Sequence, residues 1–218
     1  MDIEIIDPQV IIQDRLDQHI LKNLERYGRI CYKSESRITE DSAARFIQNI
    51  LKSGHESVIE HEKITVIFVT NRGITHEIVR HRIASYSQES TRYCNYRNKM
   101  VFIRPYYFPE GSEAYEIWKE TVSSAARAYR ALLAQGARPE QARGVLPADL
   151  KSEIVVTYNL REWRHFFKLR CSRAAHPQMR QIAIPTLLEF RKSLPVIFDD
   201  IEYDIDIPMR EYAAISYA

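Results

Sequence analysis

The chain has 218 residues, enough for one domain with its own core, and its 45% hydrophobic, 28% charged and 11% aromatic residues exclude a disordered or fibrous polymer. Lys and Arg number 31 against 29 Asp and Glu, so at a net charge of +2 the molecule is not a polycation that coats nucleic acid, and any anion site must be local. Three widely spaced cysteines, Cys31, Cys94 and Cys171, suggest neither a disulfide framework nor structural zinc and fit a reducing cytoplasm, while the acidic N-terminus and the lack of long apolar runs argue against a secretory signal or a membrane span.

Ile3, Ile5 and Ile6 predict a short first strand, and the spacing of Leu16, Ile20, Leu21 and Leu24 predicts a helix from about Asp14 to Arg26, ended by Gly28. A second helix is expected from Thr39 towards Lys52, with Ala43, Phe46, Ile47, Ile50 and Leu51 on one stripe and Gly54 as its terminal glycine. Lys63 to Thr70 is rich in β-branched residues and reads as a buried strand; Asn71 then caps a helix through Ile74, Ile78 and Val79 that ends in Arg80-His81-Arg82. Residues 83–98 have neither period and read as a long ordered loop anchored by Ile83, Tyr86, Tyr93 and Tyr96.

A short strand at Met100 to Ile103 precedes the clearest helix, with Ser112 as N-cap, Tyr115, Trp118, Val122, Ala125, Ala126, Tyr129, Leu132 and Leu133 as its core stripe, and Gly136 after it. Pro139 can start a further short helix, Ser152 to Tyr158 is strand-like, residues 160–171 return to helical spacing, and a last helix from Pro177 to Leu194 should kink at Pro185. Strands and helices interleave without repeats, which points to a single mixed α/β or α+β domain over residues 1–218. Sheet order is not readable from this pattern.

The charge is unevenly spread. Arg80, Arg82, Arg92, Arg97, Lys99 and Arg104 face only Glu89 across their segment, a local balance of +5. Arg161, Arg164, Lys168, Arg170 and Arg173 face only Glu162, a balance of +4, whereas residues 199–211 carry six acids and one arginine. Planar guanidinium forks suit bidentate phosphate contacts, although a solvated charged face is the alternative for either cluster. At 100° per residue, Trp163, Phe167 and Arg170 share one sector with Phe166 beside it, while Arg161 and His165 share another. Arg170 thus continues an apolar stripe, where it must meet an anion or several acceptors, or else complement the helix dipole from the last turn.

Several tempting motifs fail. His55-Glu56, His61-Glu62 and His76-Glu77 resemble zinc-protease pairs, but the next histidines lie six and five residues on rather than four, so no metal is expected. The six glycines are never closer than eight apart, which excludes a Rossmann turn or a Walker loop. Ser85, Ser87 and Ser90 sit among cations without a nucleophile elbow and read as hydroxyl donors to phosphate.

Arg80-His81-Arg82, seven residues and then Ser90 is the motif of the flavin-dependent thymidylate synthases, and the resemblance covers most of the chain. Gly54-His55-Glu56-Ser57 with Glu60-His61, Ser90-Thr91-Arg92-Tyr93, Ala142 to Pro147, and Asn159-Leu160-Arg161 through His165 to Arg170 follow in the family's order. The resemblance implies a mixed sheet with flanking helices and methylation of dUMP at C5. It also implies 5,10-methylenetetrahydrofolate as carbon donor, reduction by NADPH through FAD, and a homotetramer with shared active sites; no nucleic acid or membrane partner is expected. Carried over, Arg80, His81 and Arg82 would bind FAD with Ser57, Asn159, Arg161 and His165, and His55 would lie near the flavin. Substrate would be held by the segment before Arg80, including Glu77, by Gln88, Glu89, Ser90, Thr91 and Arg92, and by Arg143, with Arg170 facing the uracil as the catalytic residue. The chain departs from the usual pattern at Glu77 and Gln88, which leaves open which polar group touches dUMP there, and at residues 175–180, which are given no role.

Two other functions fit parts of the pattern. Tyr86, Tyr93 and Tyr96 alternating with Arg92 and Arg97 could stack single-stranded RNA, and the same cations could serve a phosphohydrolase.

Overall fold

A computed structural model describes residues 3–218. Its centre is a five-stranded mixed sheet in the order β4-β6-β3-β2-β7, built from β2 (Gln9–Ile12), β3 (Lys63–Asn71), β4 (Ser85–Gln88), β6 (Lys151–Asn159) and β7 (Ala214–Tyr217). The central strands β3 and β6 are nine residues each and pair antiparallel along their whole length, from Lys63 opposite Asn159 to Asn71 opposite Lys151. A smaller parallel pair joins β1 (Glu4–Ile6) to β5 (Val101–Ile103).

The helices are α1 (Gln18–Tyr32), α2 (Ser42–Lys52), α3 (Arg72–Ile78), α4 (Glu113–Ala134), α5 (Pro139–Ala142), α6 (Leu160–Arg170), α7 (Pro177–Ser193) and α8 (Pro195–Phe198). Alternate residues of the sheet, among them Val10, Ile12, Ile64, Val66, Phe68, Ile154, Val156 and Tyr158, are buried against Trp163, Phe166 and Phe167 of α6 and the apolar side of α7. A second core gathers Tyr115, Trp118, Val122, Ala126, Tyr129 and Leu133 of α4 against Met100, Phe102 and Leu150. The opposite face of the main sheet is left with half-exposed Ile11, Ile67 and Val155.

Two strand-to-helix units position the site. β3 ends at Asn71, whose Oδ1 accepts from the Ile74 amide at 2.8 Å and starts α3; β6 ends at Asn159, whose Oδ1 accepts from the Glu162 amide at 2.8 Å and starts α6. In each case a short polar side chain leaves the extended backbone and satisfies a free amide of the first turn.

Some expectations are corrected. Gly28 does not end α1 but lies buried inside it, because a Cβ there would stand 2.7 Å from the Phe46 ring; the helix instead runs on to Tyr32 and closes with Lys33 in the left-handed region, φ 47°. Residues 83–98 contain the edge strand β4, whose Ser-Tyr-Ser-Gln sequence alternates in and out without an apolar period. Leu132 is exposed rather than in the core stripe. α3 stops at Ile78, so Arg80-His81-Arg82 follows the helix instead of ending it. β2, β7 and α8 are additions that spacing did not reveal, whereas α7 spans the expected stretch with Pro185 inside it, in a fully buried run. Among the described residues no helix is long and apolar enough to cross a membrane.

Candidate active site

The site forms where the segment leaving α3 meets the last turns of α6. His81 is 4% exposed, and its ring is enclosed by Tyr158, His165 and Phe166 at centroid distances of 6.0, 5.4 and 5.1 Å. Its Nδ1 lies 2.8 Å from Glu162 Oε1, and its Nε2 lies 3.1 Å from Arg170 Nε. Burial pushes the His81 pKa down, the Arg170 charge adds to this, and the Glu162 hydrogen bond only partly opposes it.

Arg170 sits at the polar end of the aromatic stripe formed by Trp163, Phe166 and Phe167. Beyond His81, its Nη1 donates to Glu77 Oε2 at 3.0 Å and its Nη2 donates to the Glu77 carbonyl at 3.0 Å. The apolar sector predicted from spacing thus delivers a guanidinium to the back of α3, where it meets the acceptors it needs. The loop backbone is fixed from below: the Tyr86 hydroxyl lies 2.6 Å from the His81 carbonyl and 2.8 Å from the Tyr158 hydroxyl. Burial pushes the Tyr86 pKa up to about 12, so it remains a donor at neutral pH.

The remaining flavin-contact candidates largely converge. Asn159, Arg161 and His165 line one cavity of about 480 Å³ with Ile83, Glu162 and Lys168, closed on one side by Glu56 and Glu60. Ser57 is exposed on the short 3₁₀ turn that carries those two acids. Arg80 and Arg82 are exposed, and among the described residues no carboxylate pairs with either. His55 stands apart: its Nδ1 lies 3.0 Å from the Tyr32 hydroxyl, in a separate cavity with Lys33 and Arg37.

The expected nucleotide contacts form a second group. Gln88 donates to Thr75 Oγ1 at 2.7 Å, Glu89 accepts from Tyr96 at 2.8 Å and from Lys151 at 3.1 Å, and buried Thr91 accepts from Arg143 at 3.3 Å. Ser90 Oγ accepts from the Arg92 amide at 3.3 Å, and Arg92 reaches Glu140 at 3.7 Å. Among the described residues no hydrogen bond joins this group directly to Arg170 or His81.

The charge clusters are smaller in effect than composition suggests. Arg164 is 3% exposed and grips Asp200 with both terminal nitrogens at 2.6 and 2.7 Å, and Arg161 pairs with Glu60 at 2.6 Å. Arg173 reaches Asp206 and Arg104 reaches Asp7 and Glu211. The acidic 199–211 segment therefore neutralises much of the basic charge, leaving Arg80, Arg82 and Arg143 as cations of the expected site without a carboxylate partner among the described residues. His81, Glu162 and His165 present ligand atoms within 4.8 Å of one another, but both His81 nitrogens are engaged within the protein, one by a guanidinium. Glu162 was missed as a site residue, because its neighbour His81 is 81 positions away; the signal available was an acid alone in a basic run.

A family model described as thymidylate synthase complementing protein matches residues 16–196. The chain belongs to the flavin-dependent thymidylate synthases. Relatives with that name include one from Pyrococcus abyssi, 40% identical over 164 residues that make up 73% of this chain and 67% of the relative. Another, from Geobacter sulfurreducens, is 37% identical over 184 residues, 79% of this chain and 78% of the relative. The fold matches a crystal structure of a UMP/dUMP methylase from Streptomyces cacaoi bound with 5-Br dUMP, at TM-score 0.75 and 22% identity over 90% of this chain and 96% of that one. The protein is thus a flavin-using enzyme that forms thymidylate. A row of tyrosines for RNA is not present: Tyr96 is 9% exposed and Tyr86 is half-buried, each with its hydroxyl engaged.

Proposed function

We propose that the enzyme methylates dUMP at C5 to give dTMP, with 5,10-methylenetetrahydrofolate as carbon donor, NADPH as reductant and FAD as the flavin. Membership of the family supports the reaction, and the observation that carries its assignment to this site is the Arg170 guanidinium, fixed between His81 and Glu77 at the end of an apolar stripe.

C5 of uracil becomes nucleophilic when the N3 proton leaves and the ring turns anionic. A guanidinium cannot give up its charge, and held in a partly water-excluded place it stabilises that anion without reorganising. Arg170, with its side chain 20% exposed, is placed for this. Ser90 and Arg143 would orient the nucleotide phosphate, Arg143 from beside buried Thr91. The residues suit a flavin: Arg80 and Arg82, with no carboxylate partner among the described residues, offer charge to a pyrophosphate, while Asn159, Arg161 and His165 offer polar groups in one cavity, with Ser57 at its edge. When bound, the flavin supplies the reducing hydride. Cys171, next to Arg170 in the chain, is no thiol nucleophile: it is fully buried, and burial holds its proton on.

The active form would be a homotetramer acting in the cytoplasm. Half-exposed Ile11, Ile67 and Val155 on the open sheet face suit packing against another copy, and the separation of the Thr91–Arg143 group from the Arg170 group suits a site completed across subunits.

The test is the purified protein's visible spectrum together with product analysis. Flavin absorbance, bleached by NADPH, and dTMP from dUMP and methylenetetrahydrofolate are expected. Protein that takes up no FAD and forms no dTMP would overturn the reading.

A further inference from the structure

The geometry points to Glu162 as a positioning residue that sets the tautomer of His81 and, through it, the attitude of the Arg170 guanidinium. Arg170 Nε carries a hydrogen it cannot lose, and that nitrogen stands 3.1 Å from His81 Nε2. Nε2 must therefore present its lone pair. A neutral imidazole with a lone pair on Nε2 carries its hydrogen on Nδ1, and that hydrogen meets Glu162 Oε1 at 2.8 Å. Guanidinium donates to imidazole, and imidazole donates to carboxylate, with every hydrogen facing an acceptor.

The other two states of the ring break this sequence. An imidazolium would aim Nε2–H at the N–H of Arg170. The opposite neutral tautomer would do the same and would also leave a lone pair against the carboxylate. The charged and titratable groups facing the ring are Glu162, Arg170 and His165, with Glu77 behind Arg170. The rings of Tyr158 and Phe166 and the hold of Tyr86 on the His81 carbonyl restrict any turning of the imidazole.

Glu162 is itself fixed. Its side chain is 7% exposed, and its amide donates to Asn159 Oδ1 in the first turn of α6, where the helix dipole favours a carboxylate. Without it, Arg170 loses the anchor on its Nε and keeps only Glu77 on its outer nitrogens. Glu162 touches Arg170 through His81 alone, so its effect should fall on turnover rather than on nucleotide affinity. The catalytic consequence rests on the reaction proposed above; the tautomer does not.

The experiment uses the full-length flavoprotein with isotope-labelled histidine ring nitrogens, the His81 signals being those that vanish in His81→Asn. In the wild type they should show hydrogen on Nδ1 and none on Nε2, unmoved between about pH 6 and 8. In Glu162→Leu this signature should reverse or mix, and dTMP turnover should fall at least about tenfold while KM for dUMP changes less than about threefold. Glu162→Gln keeps an acceptor in place and should recover most of the lost turnover. A wild-type His81 carrying hydrogen on Nε2, or Glu162→Leu turning over at the wild-type rate, would overturn the inference. Should no variant and no wild type form dTMP, the reaction fails, while the ring-nitrogen signature still decides the tautomer. If Glu162→Leu does not fold, the wild-type signature and Glu162→Gln decide it.

Discussion

Arg170 and Lys168 share the last turn of α6, yet only the first turns inward, to three acceptor atoms on His81 and Glu77. A guanidinium can serve them together because its donors diverge in one plane; an ammonium is a point charge on a flexible stem. Arg170→Lys should therefore fold normally but form dTMP at least about tenfold more slowly, measured as product per flavin-bound subunit. His81 gives a pH test. Its pKa in the fold lies below 6.5, so the unfolded chain takes up a proton that the folded ring refuses. Its stabilising contribution is complete above the unfolded value and is lost as pH falls through the folded value, with a slope of up to about 1.4 kcal/mol per pH unit. Melting temperature should fall on acidification from about pH 7.5 to 5, and His81→Asn should show a shallower acid slope.

At the level of elements, local chemistry was readable and long-range pairing was not. The caps Asn71 and Ser112 act through amides three residues away, and the α6 stripe that carries Arg170 follows from helical geometry alone. The strands β2 and β7 escaped because their parallel partnership joins residues some 200 positions apart, and β4 escaped because its inward residues are Tyr86 and Gln88 rather than aliphatic ones. Gly28 was misread for a related reason: a glycine after an apolar stripe resembles a terminator, whereas here it admits the Phe46 ring of α2. Gly28→Val should cost about 1–3 kcal/mol in denaturant unfolding, and Phe46→Leu in the same chain should return part of it. The site pairings Glu162–His81 and Arg170–Glu77 span 81 and 93 positions, which is why residue types were legible while their connections were not.

Across the whole molecule, charge balance is a matter of tertiary placement. The acidic C-terminal segment returns to the basic elements through Arg164, Arg173, Arg180 and Arg104. Arg104 also holds Asp7 at 2.7 Å, so it ties the small β1–β5 pair to the C-terminal segment. Arg104→Met should lower stability by about 1–3 kcal/mol, since Glu211, 15% exposed, loses its main cation; thermal unfolding checks this. The pairing of β3 with β6 reaches further than either strand. Each strand ends in the asparagine that launches one of the two helices meeting at Arg170, from opposite ends of the same ladder. A slip that kept the inward residues inward would have to be two residues, displacing one helix along the other by roughly 6.6 Å and parting the guanidinium from both its anchors. Hydrogen bonds of backbone to backbone, along a ladder that runs through the core, are thus the ruler against which this enzyme sets its chemistry.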